Sequence, residues 1–342
     1  METISSLPQS LPVLTPTISR LAVGTEGLVK TYPGGVQALK GVSISVRPGT
    51  VFALLGPNGA GKSTTVKILT TLSHPTSGRA SIMGRDVVRE PGQVRRLIGV
   101  IAQKSAVDLE ATTAENLVLQ GQLYGLSGAE LRRRVDNLLT RFDLADARKR
   151  IARTLSGGMQ RKLDVVMGLI HRPQVLFLDE PTTGLDPEAR ADMWREISRL
   201  AREDGLTVVL TTHYLEEADH LAQQVAIIDH GQVVVEGTPD GLKAELRGDA
   251  ILVELADACP ESNVRAALSI LDSTLREVAI DGRVLRARVD SGASALPTVL
   301  AALDAAGIRA STATVARPSL DDVYLRYTGR SYATANQKEA IQ

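Results

Sequence analysis

The chain has 342 residues, room for one or two domains, and its 43% hydrophobic and 23% charged residues are ample for a packed core. Its 39 basic residues balance 39 acidic ones, so the basic excess of a nucleic-acid footprint is missing and no nucleic-acid partner is expected. One cysteine, Cys259, excludes an intrachain disulfide framework and fits a reducing compartment. No apolar run approaches the roughly 20 residues needed to span a bilayer. The N-terminal stretch lacks the basic region and apolar core of a signal peptide. Any contact with a membrane is therefore expected to run through a partner.

Residues 1–22, METISSLPQSLPVLTPTISRLA, are rich in Ser, Thr and Pro and read as a disordered leader. Strand-like runs follow at 28–32, 42–46 (VSISV) and 80–84, close enough together to form an antiparallel lobe. Further apolar runs lie at 51–55 (VFALL), 98–102 (IGVIA), 175–179 (VLFLD), 207–212 (TVVLTT) and 225–229 (VAIID). Helical patterns separate many of them. Short runs rich in Val, Ile and Leu, alternating with helices, imply an α/β fold with a mainly parallel sheet covered by helices.

The run VFALL leads directly into LLGPNGAGKSTT. Gly56, Gly61, Lys62 and Ser63 satisfy G-x-x-x-x-G-K-[ST], after a strand and before an amphipathic helix, which is the context a phosphate loop requires. A triphosphate carries several negative charges. Glycines let the backbone turn its N–H groups inward as an anion nest, and the helix start adds unpaired amides. The candidate nucleotide contacts are Gly56, Pro57, Asn58, Gly59, Ala60, Gly61, Lys62, Ser63 and Thr64. Lys62 supplies a full charge to the β- and γ-phosphates of ATP, and Ser63 offers its hydroxyl to Mg2+. Asp179 and Glu180 close the run VLFLDE. A carboxylate at the carboxyl edge of a buried strand suits Mg2+ and its waters, and a neighbouring carboxylate can polarise an attacking water.

Ser156, Gly157 and Gly158 in LSGGMQRKLDVVMGL sit at a second expected helix start, another N-terminal anion site. From Ala250 a different order begins. ILVEL reads as a strand, ESNVRAALSILDS as a helix with Val264, Ala267, Leu268 and Leu271 on one side, and LREVAI and VLRARV as a hairpin turning at Asp281-Gly282. ALPTVLAALDAAG reads as a helix ending at Gly307, and IRASTATVA as a last strand. This βαββαβ order is the ferredoxin-like arrangement. The segment RPSLDDVYLRYTGR reads as a short helix capped by Ser319, with Asp321 and Asp322 in its first turn and Gly329 as its stop. Leu320, Val323, Tyr324 and Tyr327 make its apolar stripe, expected to pack on the small domain itself. The boundaries expected are a leader over 1–22, a cassette over 23–247, a small α+β domain over 248–330 and a flexible tail over 331–342.

LSGGMQRKLDVVMGL (155–169) resembles the signature of ABC ATPases, and the family's other motifs stand in the right order over roughly residues 26–240. The resemblance implies the P-loop NTPase fold of an ABC cassette, with an antiparallel β lobe and a helical signature subdomain. It implies an ATPase coupled to transport. Residue by residue, Tyr32 matches the aromatic that stacks on adenine, and Gln103 the Q-loop glutamine beside Mg2+. Asp179 matches the Walker B aspartate, Glu180 the catalytic glutamate, Asp186 the D-loop aspartate and His213 the switch histidine. Met159 departs from the commoner glutamine, but the serine and glycines that touch phosphate are kept. In the family two cassettes pair head to tail, the signature of one capping the γ-phosphate held by the other. A second copy is thus an expected partner, with ATP as the glue.

The tail RPSLDDVYLRYTGR, with TTHYLEEAD and EPTTGLDP, resembles the ATP-binding subunits of daunorubicin-resistance exporters. That resemblance implies efflux of a drug, antibiotic or lipid-like substrate through a separate membrane permease, with the subunit peripheral on the cytoplasmic face of the membrane. An importer subunit is the alternative the cassette leaves open. A soluble ABC protein acting on ribosomes or DNA fits less well. Only one P-loop and one signature are present, and 64–154 is too short for a long coiled coil. KSAVDLEATTAENL, after Gln103, mixes a loop with a helix start, and the resemblance makes it the region that receives the permease.

Overall fold

The computed structural model describes residues 21–332, apart from 247, 272 and 273. Residues 1–20 of the expected leader and 333–342 of the expected tail lie outside the described residues. Ala22, expected in the leader, is fully buried and bonds through its N–H to Val46 O at 2.9 Å. Tyr332, expected in the tail, is also buried and stands edge-on to Tyr324 with ring centroids 4.8 Å apart. In both places a large or well-bonded residue outweighs the polar composition around it.

Strands β1 (Val23–Thr31), β2 (Gln37–Val42), β3 (Ser45–Val46), β5 (Ser77–Ile82) and β6 (Arg85–Asp86) form the antiparallel lobe. The run VSISV does not make one strand. Val42 ends β2 opposite Leu28, and Val46 in β3 faces Val23, so β1 pairs with both pieces. The main sheet has the order β11-β10-β4-β9-β8-β7. It is built from β4 (Val51–Leu55), β7 (Ile98–Ile101), β8 (Val175–Asp179), β9 (Thr207–Thr212), β10 (Gln224–Asp229) and β11 (Gln232–Gly237). All pairings are parallel except β10 with β11. Those two join through His230 and Gly231, both at positive φ, 46° and 79°, the geometry that closes a tight hairpin.

The main sheet is buried on both faces, and period-2 alternation divides its side chains between two cores. Val51, Ala53, Leu55, Leu176, Leu178, Val208 and Leu210 enter one core with the helices. Phe52, Leu54, Val175, Phe177, Val209, Ala226 and Ile228 enter the other, under the antiparallel lobe. Each large apolar side chain buried this way contributes roughly 1.5–3 kcal/mol. The helices are α1 (Lys62–Leu69), α2 (Pro91–Leu97), α3 (Thr113–Leu123), α4 (Gly128–Arg141), α5 (Gly157–Leu169), α6 (Pro187–Asp204), α7 (Leu215–Leu221) and α8 (Pro239–Glu245). In α4 the buried residues Leu131, Val135 and Leu139 fall four apart, one stripe of an amphipathic helix. The helix start read in TTAENL is α3, closed by a capping box between Thr112 and Glu115.

The βαββαβ segment forms a third sheet, order β13-β14-β12-β15, from β12 (Asp249–Leu255), β13 (Arg276–Asp281), β14 (Val284–Val289) and β15 (Ala310–Ala316). Every pairing is antiparallel. Helices α9 (Glu261–Leu268) and α10 (Gly292–Ala305) cover it through a separate core around Val253, Val264, Leu285 and Val299. Helix α11 (Leu320–Thr328) has the expected Ser319 cap and left-handed Gly329. Its packing differs from expectation. Leu320, Val323 and Tyr324 join the core of the cassette rather than that of the small domain. The Tyr324 hydroxyl donates to Asp229 at 3.3 Å, at the end of β10. Charged residues of α11 meet the small sheet: Asp321 pairs with Arg286, Asp322 lies 3.6 Å from Arg288, and Arg326 lies 4.0 Å from Glu277.

Candidate active site

All five residues of β4 are buried, so the chain leaves the sheet at Leu55 with no freedom to splay. A Cβ on Gly56 would stand 2.3 Å from Ile228 O, and one on Gly61 2.8 Å from Ala38 O at a φ of 110°. Only glycine permits either approach. The loop is therefore clamped against the β10–β11 turn, where Gly231 N–H also donates to Ala60 O at 2.9 Å. Pro57 and Ala60 face inward, while Asn58 and Gly59 are exposed. Helix α1 then starts at Lys62, with its leading amides directed over the loop. The Lys62 ammonium is buried and donates to Gly56 O at 2.6 Å and Pro57 O at 2.8 Å, spanning the loop it serves. Beside it, the Thr64 hydroxyl lies 3.4 Å from the Tyr32 hydroxyl, and the Lys30 ammonium sits 5.1 Å from the centre of the Tyr32 ring. Tyr32 thus stands at the rim of the phosphate loop.

β8 delivers two carboxylates to the same edge of the sheet. Its register with β9 sets Asp179 opposite Thr211. The Thr211 hydroxyl donates to Asp179 Oδ1, and Ser63 Oγ is 3.4 Å from the same oxygen. Glu180 follows with a φ of 49°, a left-handed backbone that costs of order 1–3 kcal/mol outside glycine. The turn is tied down: Glu180 N–H reaches both Thr211 O and Thr211 Oγ1 at 3.1 Å. This backbone turns the Glu180 carboxylate toward three side chains. Gln103 Nε2 donates to Oε2 at 3.2 Å, and Thr183 Oγ1 to the same oxygen at 3.3 Å. His213 Nδ1 lies 3.1 Å from Oε1, within ion-pair range although its N–H does not aim squarely at the oxygen. The His213 ring, and then the Lys62 charge, hold the Glu180 carboxyl below its ordinary range against the opposing pull of burial. The carboxylate is ionised at neutral pH, as an acceptor of protons from water requires.

The structure thus gathers Tyr32, the loop 56–64, Gln103, Asp179, Glu180 and His213 around one edge. Ser156, Gly157, Gly158 and Asp186 stand at the starts of two neighbouring helices. Ser156 Oγ accepts from Met159 N at 3.3 Å and caps α5. Asp186 Oδ1 accepts from Ala189 N at 2.9 Å and caps α6. A Cβ on Gly158 would come within 3.1 Å of Ala189 Cβ, so the two helix starts are close-packed, while Gly157 has open space beside it.

Three residues of this site were not singled out in the sequence. Thr211 and Thr183 look like ordinary strand and loop threonines until the strands are paired. Arg161 is 9% exposed, and its guanidinium donates to Pro181 O at 2.9 Å, Ala102 O at 3.0 Å, Asp179 O at 3.3 Å and Glu180 O at 3.4 Å. The available signal was a charge three residues before Asp164 on a helix otherwise turned inward at Leu163, Val165 and Val166.

A phosphate loop and a carboxylate pair on the carboxyl edge of one parallel sheet make the chain a P-loop nucleotide hydrolase. The family model described as ABC transporter matches residues 39–183, and the model described as ATP-binding protein DrrA1-3-like, C-terminal domain, matches residues 237–328. The chain belongs to the ABC transporter ATP-binding proteins that carry a DrrA1-3-like C-terminal domain. It is 47% identical to the daunorubicin resistance ATP-binding protein DrrA3 of Streptomyces coeruleorubidus over 90% of its own length and 96% of that protein. Identity is 33% to the linearmycin resistance ATP-binding protein LnrL of Bacillus subtilis, over 90% of this chain and 98% of that one. Among solved structures, cbiO1 of Clostridium perfringens, part of an ABC transporter complex, superposes with a TM-score of 0.62 at 26% identity. That match covers 74% of this chain and 97% of the other. The chain binds and hydrolyses ATP as the ATPase of an ABC exporter, and the resistance relatives do not favour the importer or soluble alternatives. Among the described residues no helix is long and apolar enough to cross a membrane.

Proposed function

We propose that the chain powers efflux of a drug-like or antibiotic molecule through a separate membrane permease, docked at the cytoplasmic face of the membrane. The names of its relatives, resistance proteins for daunorubicin, doxorubicin and linearmycin, support that class of cargo. Lys62 and the amides of residues 56–63 hold the β- and γ-phosphates, and Tyr32 stacks on the adenine. Ser63, Asp179 and Gln103 offer only oxygen donors on this edge, the set that suits Mg2+. Among the described residues no group of three His, Cys, Asp or Glu assembles to hold a metal alone. That fits an ion which keeps its waters and rides on phosphate. Bound there, Mg2+ would neutralise charge developing on the phosphates.

Glu180 accepts the proton of the attacking water. Gln103, Thr183 and His213 hold its carboxylate in place. Ser156, Gly157 and Gly158, with Asp186, complete the site of a second copy, whose loop would receive the open helix start of α5. The observation that carries the reading is the Glu180 carboxylate held at 3.2 Å by Gln103 and 3.1 Å by His213, beside the phosphate loop. The test is Glu180→Gln in the full chain. The amide keeps the shape and loses the charge, so turnover should fall about 10²–10⁴-fold while ATP still binds. ATP should then drive the variant into a dimer on size-exclusion chromatography. Wild-type hydrolysis by this variant would remove Glu180 from the reaction.

A further inference from the structure

Arg161 is a buried cation on the helix that carries the signature, yet it makes no use of the signature itself. Its three nitrogens are divided between two loops that come from distant parts of the chain. Nε and Nη2 hold the carbonyls of Pro181, Asp179 and Glu180, and Nη1 holds that of Ala102, the residue before Gln103. Asp164, one turn on, is 3.7 Å from Nη1, and its Oδ1 accepts from Ala106 N at 3.0 Å, three residues past Gln103. One guanidinium–carboxylate pair therefore brackets the Gln103 loop on both sides of the glutamine and grips the backbone through Glu180.

That backbone needs gripping. Glu180 sits at a φ of 49°, and such conformations persist only when their surroundings over-determine them. A guanidinium is a planar fork of five donors in fixed relative positions, so it can set the spacing of several carbonyls at once. Helix α5 is rigid between Ser156 and Arg161, a rise of about 7.5 Å over five residues. A tilt of the signature is thus passed to both loops together.

We propose that Arg161 is a positioning residue for hydrolysis: it fixes the Glu180 turn and the Gln103 loop relative to each other and ties both to the signature helix. The proposal rests on Glu180 and Gln103 acting as set out above. The hydrogen bonds of Arg161 go to the carbonyls of Ala102, Asp179, Glu180 and Pro181, outside the phosphate loop. Loss of Arg161 should therefore leave ATP binding by the phosphate loop in place and lower the rate at which bound ATP is hydrolysed.

The experiment compares the full chain with Arg161→Lys and Glu180→Gln. Lysine keeps the cation beside Asp164 but is a point charge that cannot span carbonyls from Ala102 to Pro181. We expect kcat to fall on the order of 10- to 100-fold, the scale of a 1 Å misplacement. KM and affinity for a fluorescent ATP analogue should stay near wild type, while the melting temperature drops through the loss of bonds to buried carbonyls. The double variant Arg161→Gln/Asp164→Asn removes both buried charges together and should show the same split. Unchanged kcat in Arg161→Lys overturns the proposal. So does a fall in ATP affinity that keeps pace with the fall in kcat, because general structural support would do that. If Glu180→Gln itself retains turnover, the reading of Glu180 fails and this proposal with it. If Glu180→Gln is inactive and Arg161→Lys is not, only the proposal fails.

Discussion

Gly56→Ala tests whether the phosphate loop is as tightly clamped as its contacts imply. The added Cβ would lie 2.3 Å from Ile228 O and 3.0 Å from Ile228 Cγ2. A separation under 3.0 Å is one that real Cβ atoms essentially never show. Relief therefore needs a displacement of roughly 1 Å. β10 cannot supply it cheaply. It is paired in register with β4 from Gln224 to Ile227, and Ile228 is packed in the core under the antiparallel lobe. The loop must move instead, carrying its amides and the start of α1 with it. Overpacking of this kind costs about 1–3 kcal/mol of stability. A 1 Å misplacement of positioning groups costs on the order of 10²-fold in function. Titration with a fluorescent ATP analogue should show affinity reduced by about that factor, and thermal denaturation a lowered midpoint. Gly92→Ala is the control. Gly92 has open space beside it and lies within α2, where alanine is favoured by roughly 1 kcal/mol. Wild-type affinity and melting in Gly56→Ala would refute the argument from the clamp.

Three further outcomes are expected. Lys62→Ala removes the buried ammonium that spans the loop and should greatly weaken nucleotide binding in the same titration, because no other loop side chain carries positive charge. Leu109 is a half-exposed apolar residue beyond Gln103, at 46%. Leu109→Asp should leave ATP affinity of the isolated chain intact and impair transport when the chain is reconstituted with its permease, and normal transport by a confirmed complex would contradict a docking role. Glu217 is 1% exposed, and burial pushes its carboxyl above the ordinary value despite bonds from Thr212, Thr182 and Trp194 and the charge of Arg190. A raised folded value means that stability falls as pH rises through it. Glu217→Gln still accepts from Thr182 and Trp194, so it should raise the melting temperature at pH 7.5, with the gain shrinking as pH drops through the raised folded value and gone below the ordinary carboxylate value. A gain that is independent of pH would show that charge burial is not its cause.

Much of the site was legible in the chain because its signals are local. The phosphate loop is one contiguous run whose conformation follows from glycines and a helix start within nine residues. The caps at Ser156 and Ser319 are set by hydrogen bonds reaching three residues ahead. The apolar runs at 51–55, 98–102, 175–179, 207–212 and 225–229 became β4, β7, β8, β9 and β10 on composition alone, whereas VSISV broke where β1 had to pair twice. Family resemblance, not spacing, supplied Tyr32, Gln103, Asp186 and His213.

Tertiary structure alone decided what meets across distance. Asp179 and Thr211 are partners because β8 lies beside β9, and no local signal states that order. Gln103 and Glu180 are 77 residues apart, joined only once β7 and β8 pair. Arg161 reads as a surface cation until the Gln103 loop and the Glu180 turn close over it. Helix α11 carries the cap and stop its sequence specifies, but its apolar stripe fits two surfaces equally well as a pattern. Burial of Tyr324 against Asp229 and the cassette core chose between them. The physical reason is the same in each case. Caps, turns and periodicity are settled by bonds within a few residues, whereas these contacts exist only after loops of dozens of residues have closed, and it is the packing of the whole molecule that selects the closure.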